Sequence, residues 1–98
     1  MGSGDVAAEL REKTLRYKRL LKEALDDAKK IPGMGPMLEK IADDFYRMAE
    51  SYYTDGVHFL EEDDPVNALV CFSYGHAWLD AGVRLGVFTV TKKGLFAA

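Results

Sequence analysis

Two short breaks constrain this chain more than anything else in it. Pro32-Gly33-Met34-Gly35-Pro36 places two prolines and two glycines within five residues, and Asp64-Pro65 follows the acidic run Glu61-Glu62-Asp63. Proline removes an amide donor and clashes with the preceding helical turn, so no helix crosses either break. The flanking segments carry helical periodicity. In the first, Leu10, Thr14, Tyr17, Leu21, Ala24, Ala28 and Ile31 recur at steps of four and three, with Leu20 and Leu25 beside them. Asp5 stands in its N-cap region and Pro32 ends it. In the second, Leu38, Ile41, Phe45, Met48, Tyr52 and Phe59 share one stripe, with Ala42, Ala49, Gly56 and Leu60 adjacent. In the third, Asp64 is a capping carboxylate and Pro65 suits the first helical turn. Short connections make successive helices antiparallel neighbours, so the chain reads as all-α: a three-helix, up-down-up antiparallel bundle.

The limits of that domain follow from what flanks it. Residues 1–4, Met-Gly-Ser-Gly, read as a flexible leader, residues 5–86 as the single three-helix domain and residues 87–98 as an extended C-terminal tail. Val87 to Thr91 is rich in β-branched residues, but one short strand has no partner within the helical segments. Phe88, Val90, Leu95 and Phe96 are therefore expected either to pack on the bundle or to meet another chain. With 98 residues and 48% hydrophobic composition, the chain suffices for one core and not for two. No apolar run has the length of a membrane span, and the N-terminus lacks a secretion pattern, so a cytoplasmic location and no membrane partner are expected. Cys71 is the only cysteine, which excludes an internal disulfide and a cysteine-built zinc site; an inert buried thiol is expected.

The stretch Phe72 to Gly86 is the densest in chemically distinctive residues. On a helical wheel Ala68, Gly75, Gly82 and Gly86 fall on one line, with Phe72, Leu79 and Val83 on one side and Cys71, Tyr74, Trp78 and Leu85 on the other. The line therefore points into the bundle. A mid-helix glycine costs roughly 0.5–1 kcal/mol relative to alanine. Close approach of a neighbouring helix, or room for a ring such as Tyr52 or Phe45, would offset that cost. A phosphate-binding glycine loop would need free N–H groups between a strand and a helix, and these are committed to the helix. Gly86 reads as a C-terminal cap with Val87 and Phe88 as its hydrophobic contact.

On another face Ser73, His76, Asp80 and Arg84 are spaced three, four and four apart, forming a polar ridge. Asp80 can bond to Arg84 and to His76. The ridge is a candidate binding surface for a small molecule or metal, although two ligands from one helix do not complete a metal site. Asp55 and His58 supply one acid-x-x-His pair where a di-iron bundle needs two, and His58 points away from the Tyr52 stripe. No spacing sets a nucleophile beside a base, so no catalytic residue, metal ligand set or cofactor is assigned; a non-enzymatic role is the leading reading, with an acid–base site on His76 and Asp80 as the alternative.

Charge is uneven. Residues 11–30 carry eight Lys or Arg against four acids, whereas residues 48–83 carry seven acids and no Lys or Arg. Arg11, Arg16, Lys18, Arg19 and Lys22 form a candidate nucleic-acid contact. Against this, the chain is acidic overall, at −3, and no aromatic stacking platform accompanies the cluster. The leading expectation is a protein partner or a homo-oligomer, with Tyr74, Trp78 and Phe88 as candidate interface residues.

Two resemblances add to this. Tyr52, Gly56, Phe59, Ala68, Phe72 and Gly75 are spaced like the aromatic and small positions of one tetratricopeptide-type hairpin, with Asp55 and Asp80 departing from its leucine and proline positions. One copy makes no repeat array. More specifically, Ala49-x-x-Tyr52-Tyr53-x-Asp55-Gly56-x-x-Phe59-Leu60, Asn67-Ala68 and the run Ser73 to Gly86 resemble a family of small archaeal proteins, domain-of-unknown-function family 357. Gly75 and Ala77 stand exchanged around His76 relative to that family's form. The resemblance implies a three-helix up-and-down bundle and points to no established activity.

Overall fold

The computed structural model of the chain describes residues 3–97. Three helices dominate it: α1 (Ser3–Asp27), α2 (Pro36–Glu61) and α3 (Pro65–Leu85). The two sequence breaks act as read. Gly33 and Gly35 adopt φ of 75° and 93°, a region open to glycine, and Pro36 opens α2. At the second break Asp63 turns the chain at φ 58°, which aspartate tolerates better than most residues. The Asp64 carboxylate then accepts the Asn67 N–H at 3.1 Å and caps α3. Gly86 closes α3 at φ 88°, and Val87, 1% exposed, makes the hydrophobic contact of the cap.

The start and end of α1 differ from expectation. Met1 and Gly2 of the expected leader lie outside the described residues, while Ser3 and Gly4 belong to α1, which moves Asp5 from the cap into the first turn. There its charge still favours the positive helix end. At the other end α1 stops at Asp27 rather than Ile31, since the Pro32 ring would clash with the carbonyl four residues earlier. Lys29–Lys30 instead forms a short strand, β1, paired antiparallel with Phe88–Thr89, β2, and Ile31 N–H donates to the Val87 carbonyl at 3.0 Å. The tail thus has a strand partner after all.

α3 lies between the other two helices and packs along both, whereas α1 and α2 meet only briefly. Phe45 stacks edge-on against Trp78 and Tyr52 against Tyr74, so α2 and α3 run antiparallel. Thr14 reaches Pro65 near the start of α3 and Leu21 lies at Gly75, so α1 runs parallel to α3. The core is Leu21, Ala24, Leu25 and Ala28 of α1, Ala42 and Ala49 of α2, Ala68, Phe72 and Leu79 of α3, and Val87, Phe88 and Phe96 of the tail. The glycines admit specific neighbours. At Gly75 a Cβ would lie 3.0 Å from both Leu21 and the Cβ of Tyr52, so that glycine brings the helices close. The Phe45 ring packs on Trp78. At Gly56 a Cβ would overlap the buried Phe72 ring, and at Gly82 it would overlap Phe88. The Gly82 position therefore serves the tail rather than helix spacing.

Candidate functional site

The polar ridge of α3 is divided by the tail. Ser73 and Arg84 are exposed, but His76 and Asp80 are only 19% and 26% exposed at their side chains. Lys93–Leu95 forms a 3-10 turn that brings the tail over them. A carbonyl only accepts, so His76 Nε2–H donates to the Leu95 carbonyl at 2.5 Å. Asp80 Oδ1 accepts the Ala97 N–H at 3.0 Å and stands 3.9 Å from His76 Nε2. Phe96 packs 6.1 Å from the His76 ring. The expected Asp80–Arg84 bond is absent among the described residues, because the Asp80 carboxylate turns to the tail. His76 and Asp80 thus hold the tail.

A third polar group does the same from α1. The Asp27 carboxylate accepts the Thr91 hydroxyl, the Thr91 N–H at 2.9 Å and the Lys92 N–H at 3.0 Å. These bonds, the Thr91 hydroxyl foremost, hold its pKa below the ordinary carboxylate range. A lowered folded pKa means stability present above the unfolded value, about 3.9, and lost as pH falls through the folded value. Asp27→Asn is therefore expected to lower the melting temperature at neutral pH and to flatten its decline below about pH 4. Melting curves of both chains from pH 7 to pH 2 check this; parallel declines would contradict it.

The candidate interface residues separate. Phe88 is 5% exposed, held under Gly82 and 6.3 Å from Tyr46, and so is unavailable to another chain: the β1–β2 pairing draws it inward. Trp78 is half-buried against Phe45, whereas Tyr74 remains 54% exposed. An apolar stripe the wheel did not isolate accompanies Tyr74. Val66, Val70, Ala77, Ala81 and Leu85 are all exposed, and with Tyr74 they recur at steps of four, four, three, four and four. They lie opposite the buried line of Ala68, Gly75 and Gly82. Tyr74, Ala77, Trp78 and Ala81 line a shallow apolar depression of about 240 Å³. The signal was present in the sequence as apolar residues on both sides of α3.

The basic residues of α1 do not form one surface of unopposed charge. Arg11 pairs with Asp63, and Lys22 with Asp26 at 2.9 Å. Tyr17 supplies the aromatic neighbour that sequence reading did not find, with Arg16 at 5.8 Å and Lys13 at 6.0 Å from its ring, although that ring also packs against the core. Lys18 and Arg19 border an open depression of about 390 Å³ beside Leu15 and Tyr53. Cys71 is 8% exposed, and burial, aided by the Asp55 carboxylate, pushes its thiol pKa up, away from the reactive thiolate. Among the described residues no three His, Cys, Asp or Glu side chains converge as a metal site, and no helix is long and apolar enough to cross a membrane.

Comparison with known proteins agrees with this architecture. No curated protein matches the chain significantly. The crystal structure of protein AF1782 from Archaeoglobus fulgidus, labelled with the same family as the matching model below, superposes with a TM-score of 0.70 at 28% identity. The match covers 88% of this chain and 99% of that one. The family model described as "Protein of unknown function (DUF357)" matches residues 16–88, from the middle of α1 through the first residue of β2. This chain belongs to domain-of-unknown-function family 357.

Proposed function

We propose that this protein is a non-enzymatic interaction module that docks through the outward face of α3. One observation carries the reading: α3 is apolar around most of its circumference, as a fully buried helix would be, yet one side is uncovered. Val66, Val70, Tyr74 and Leu85 are 57%, 59%, 54% and 54% exposed. A contiguous apolar patch on a small domain marks a contact surface, because leaving it in water forgoes about 25 cal/mol for each Å² it could bury. The polar ridge supports a ligand site less well, since two of its four side chains are spent on the tail. The basic segment of α1 supports nucleic-acid binding less well, since Arg11 and Lys22 are paired within the chain.

A photo-crosslinking residue placed at Val70 or at Ala81 is expected to give a discrete covalent adduct in extracts of the native host. The same residue at exposed Arg47 on α2 serves as the control and is expected to give none. Absence of an adduct at both stripe positions would defeat the proposal.

A further inference from the structure

We infer that the occupant of the α3 face is a second copy of this chain, with the two α3 helices antiparallel about a two-fold axis. The inference rests on reading that face as a docking surface, and it adds the partner and its orientation.

The stripe is complementary to its own reverse. Laying it antiparallel on a copy of itself sets Val66 opposite Leu85, Val70 opposite Ala81 and Tyr74 opposite Ala77. In the last two pairs a large side chain meets a small one, so the alanines let the helices approach while Val70 and Tyr74 fill the space above them. A two-fold axis repeats each contact on the other side. Charge selects the direction. The Val66 end follows the acidic turn Glu61–Asp64, and the Leu85 end carries exposed Arg84. Within the chain Glu61, Glu62 and Arg84 make no ion pair among the described residues. A parallel pair would stack one acidic turn on the other. The antiparallel pair brings Arg84 of each copy to the acidic turn of its partner and opposes the helix dipoles. An anionic membrane surface fits poorly, since residues 48–83 carry no Lys or Arg to meet it.

Sedimentation of the purified full chain over a range of concentrations should show a monomer–dimer equilibrium. Ala81→Glu should weaken it by roughly a hundredfold or more, by burying a charge within the contact, opposite Val70. Arg84→Glu should weaken it about tenfold, with recovery when Glu61 and Glu62 are changed to lysine in the same chain. Under mild oxidation a mixture of Val66→Cys and Leu85→Cys chains should form a mixed disulfide dimer, while Val66→Cys alone should not. Should Ala81→Glu lose helicity, the cysteine pair decides the matter. A monomer at every concentration overturns the inference, and so does Val66→Cys linking to itself. If the chain is monomeric but Val70 or Ala81 crosslinks to a protein of another mass, the second copy is wrong and the docking face stands. If neither position crosslinks to anything, both fail.

Discussion

A chain cut after Gly86 is expected to keep much of its helix content and lose cooperative unfolding. All three helices survive that cut, but the tail supplies Val87, Phe88 and Phe96, which are 1%, 5% and 9% exposed. Truncating one buried phenylalanine costs about 3–5 kcal/mol. Two of them and a valine together therefore approach the 5–15 kcal/mol that typically holds a whole domain. The cut also removes the strand that pairs with Lys29–Lys30 and uncovers the α3 surface around His76, Asp80 and Gly82. A chain cut after Thr91 should fall between. It retains Val87, Phe88 and the two Thr91 bonds to Asp27, and loses Leu95, Phe96, the Lys92 bond to Asp27 and the bonds to His76 and Asp80. Thermal unfolding followed by near-ultraviolet circular dichroism, which reports the packing of Trp78 and the tyrosines, should rank the intact chain, the Thr91 cut and the Gly86 cut in that order. A cooperative transition in the Gly86 cut within a few degrees of the intact chain would show that the tail is an appendage. The family match, which runs through Phe88, agrees with a domain that extends past α3.

What could be read in the sequence was what depends on neighbours along the chain. The Pro-Gly break, the Asp64 cap and the Gly86 cap are each set within a few residues, and each stands as expected. The β1–β2 pair joins residues 29–30 to residues 88–89, and nothing in Lys29-Lys30 signals a strand, because exposed lysines carry no alternation to recognise. A helical wheel groups residues by direction and cannot say which element covers a direction. Ser73, His76, Asp80 and Arg84 do share a face, yet the tail takes the middle two. The outward stripe was hidden for the opposite reason. Val66, Val70, Ala77 and Ala81 are apolar, and an apolar residue on a helix is assigned to the core unless its burial is known.

Gly82→Ala should destabilise the intact chain and stabilise a chain that carries Phe88→Ala. On helix propensity alone, alanine at this mid-helix position is better than glycine by roughly 0.5–1 kcal/mol. Here the added methyl would occupy the space of the Phe88 ring, which is 5% exposed and fixed by its strand pairing, so it cannot swing aside. Overpacking of this kind costs about 1–3 kcal/mol, enough to overcome the propensity gain. Phe88→Ala alone should cost about 3–5 kcal/mol and leave a void against α3. In that background the methyl introduced by Gly82→Ala enters the void, the clash disappears and the propensity gain remains, so the same substitution changes sign. Gly94→Ala is the control, since nothing lies within 4 Å of a Cβ there, and it should change stability little. Chemical denaturation of the four chains of the cycle gives the coupling directly. Equal effects of Gly82→Ala with and without the Phe88 ring would mean that the glycine is not there for the tail, and the role of α3 as the seat of residues 87–97 would fail with it.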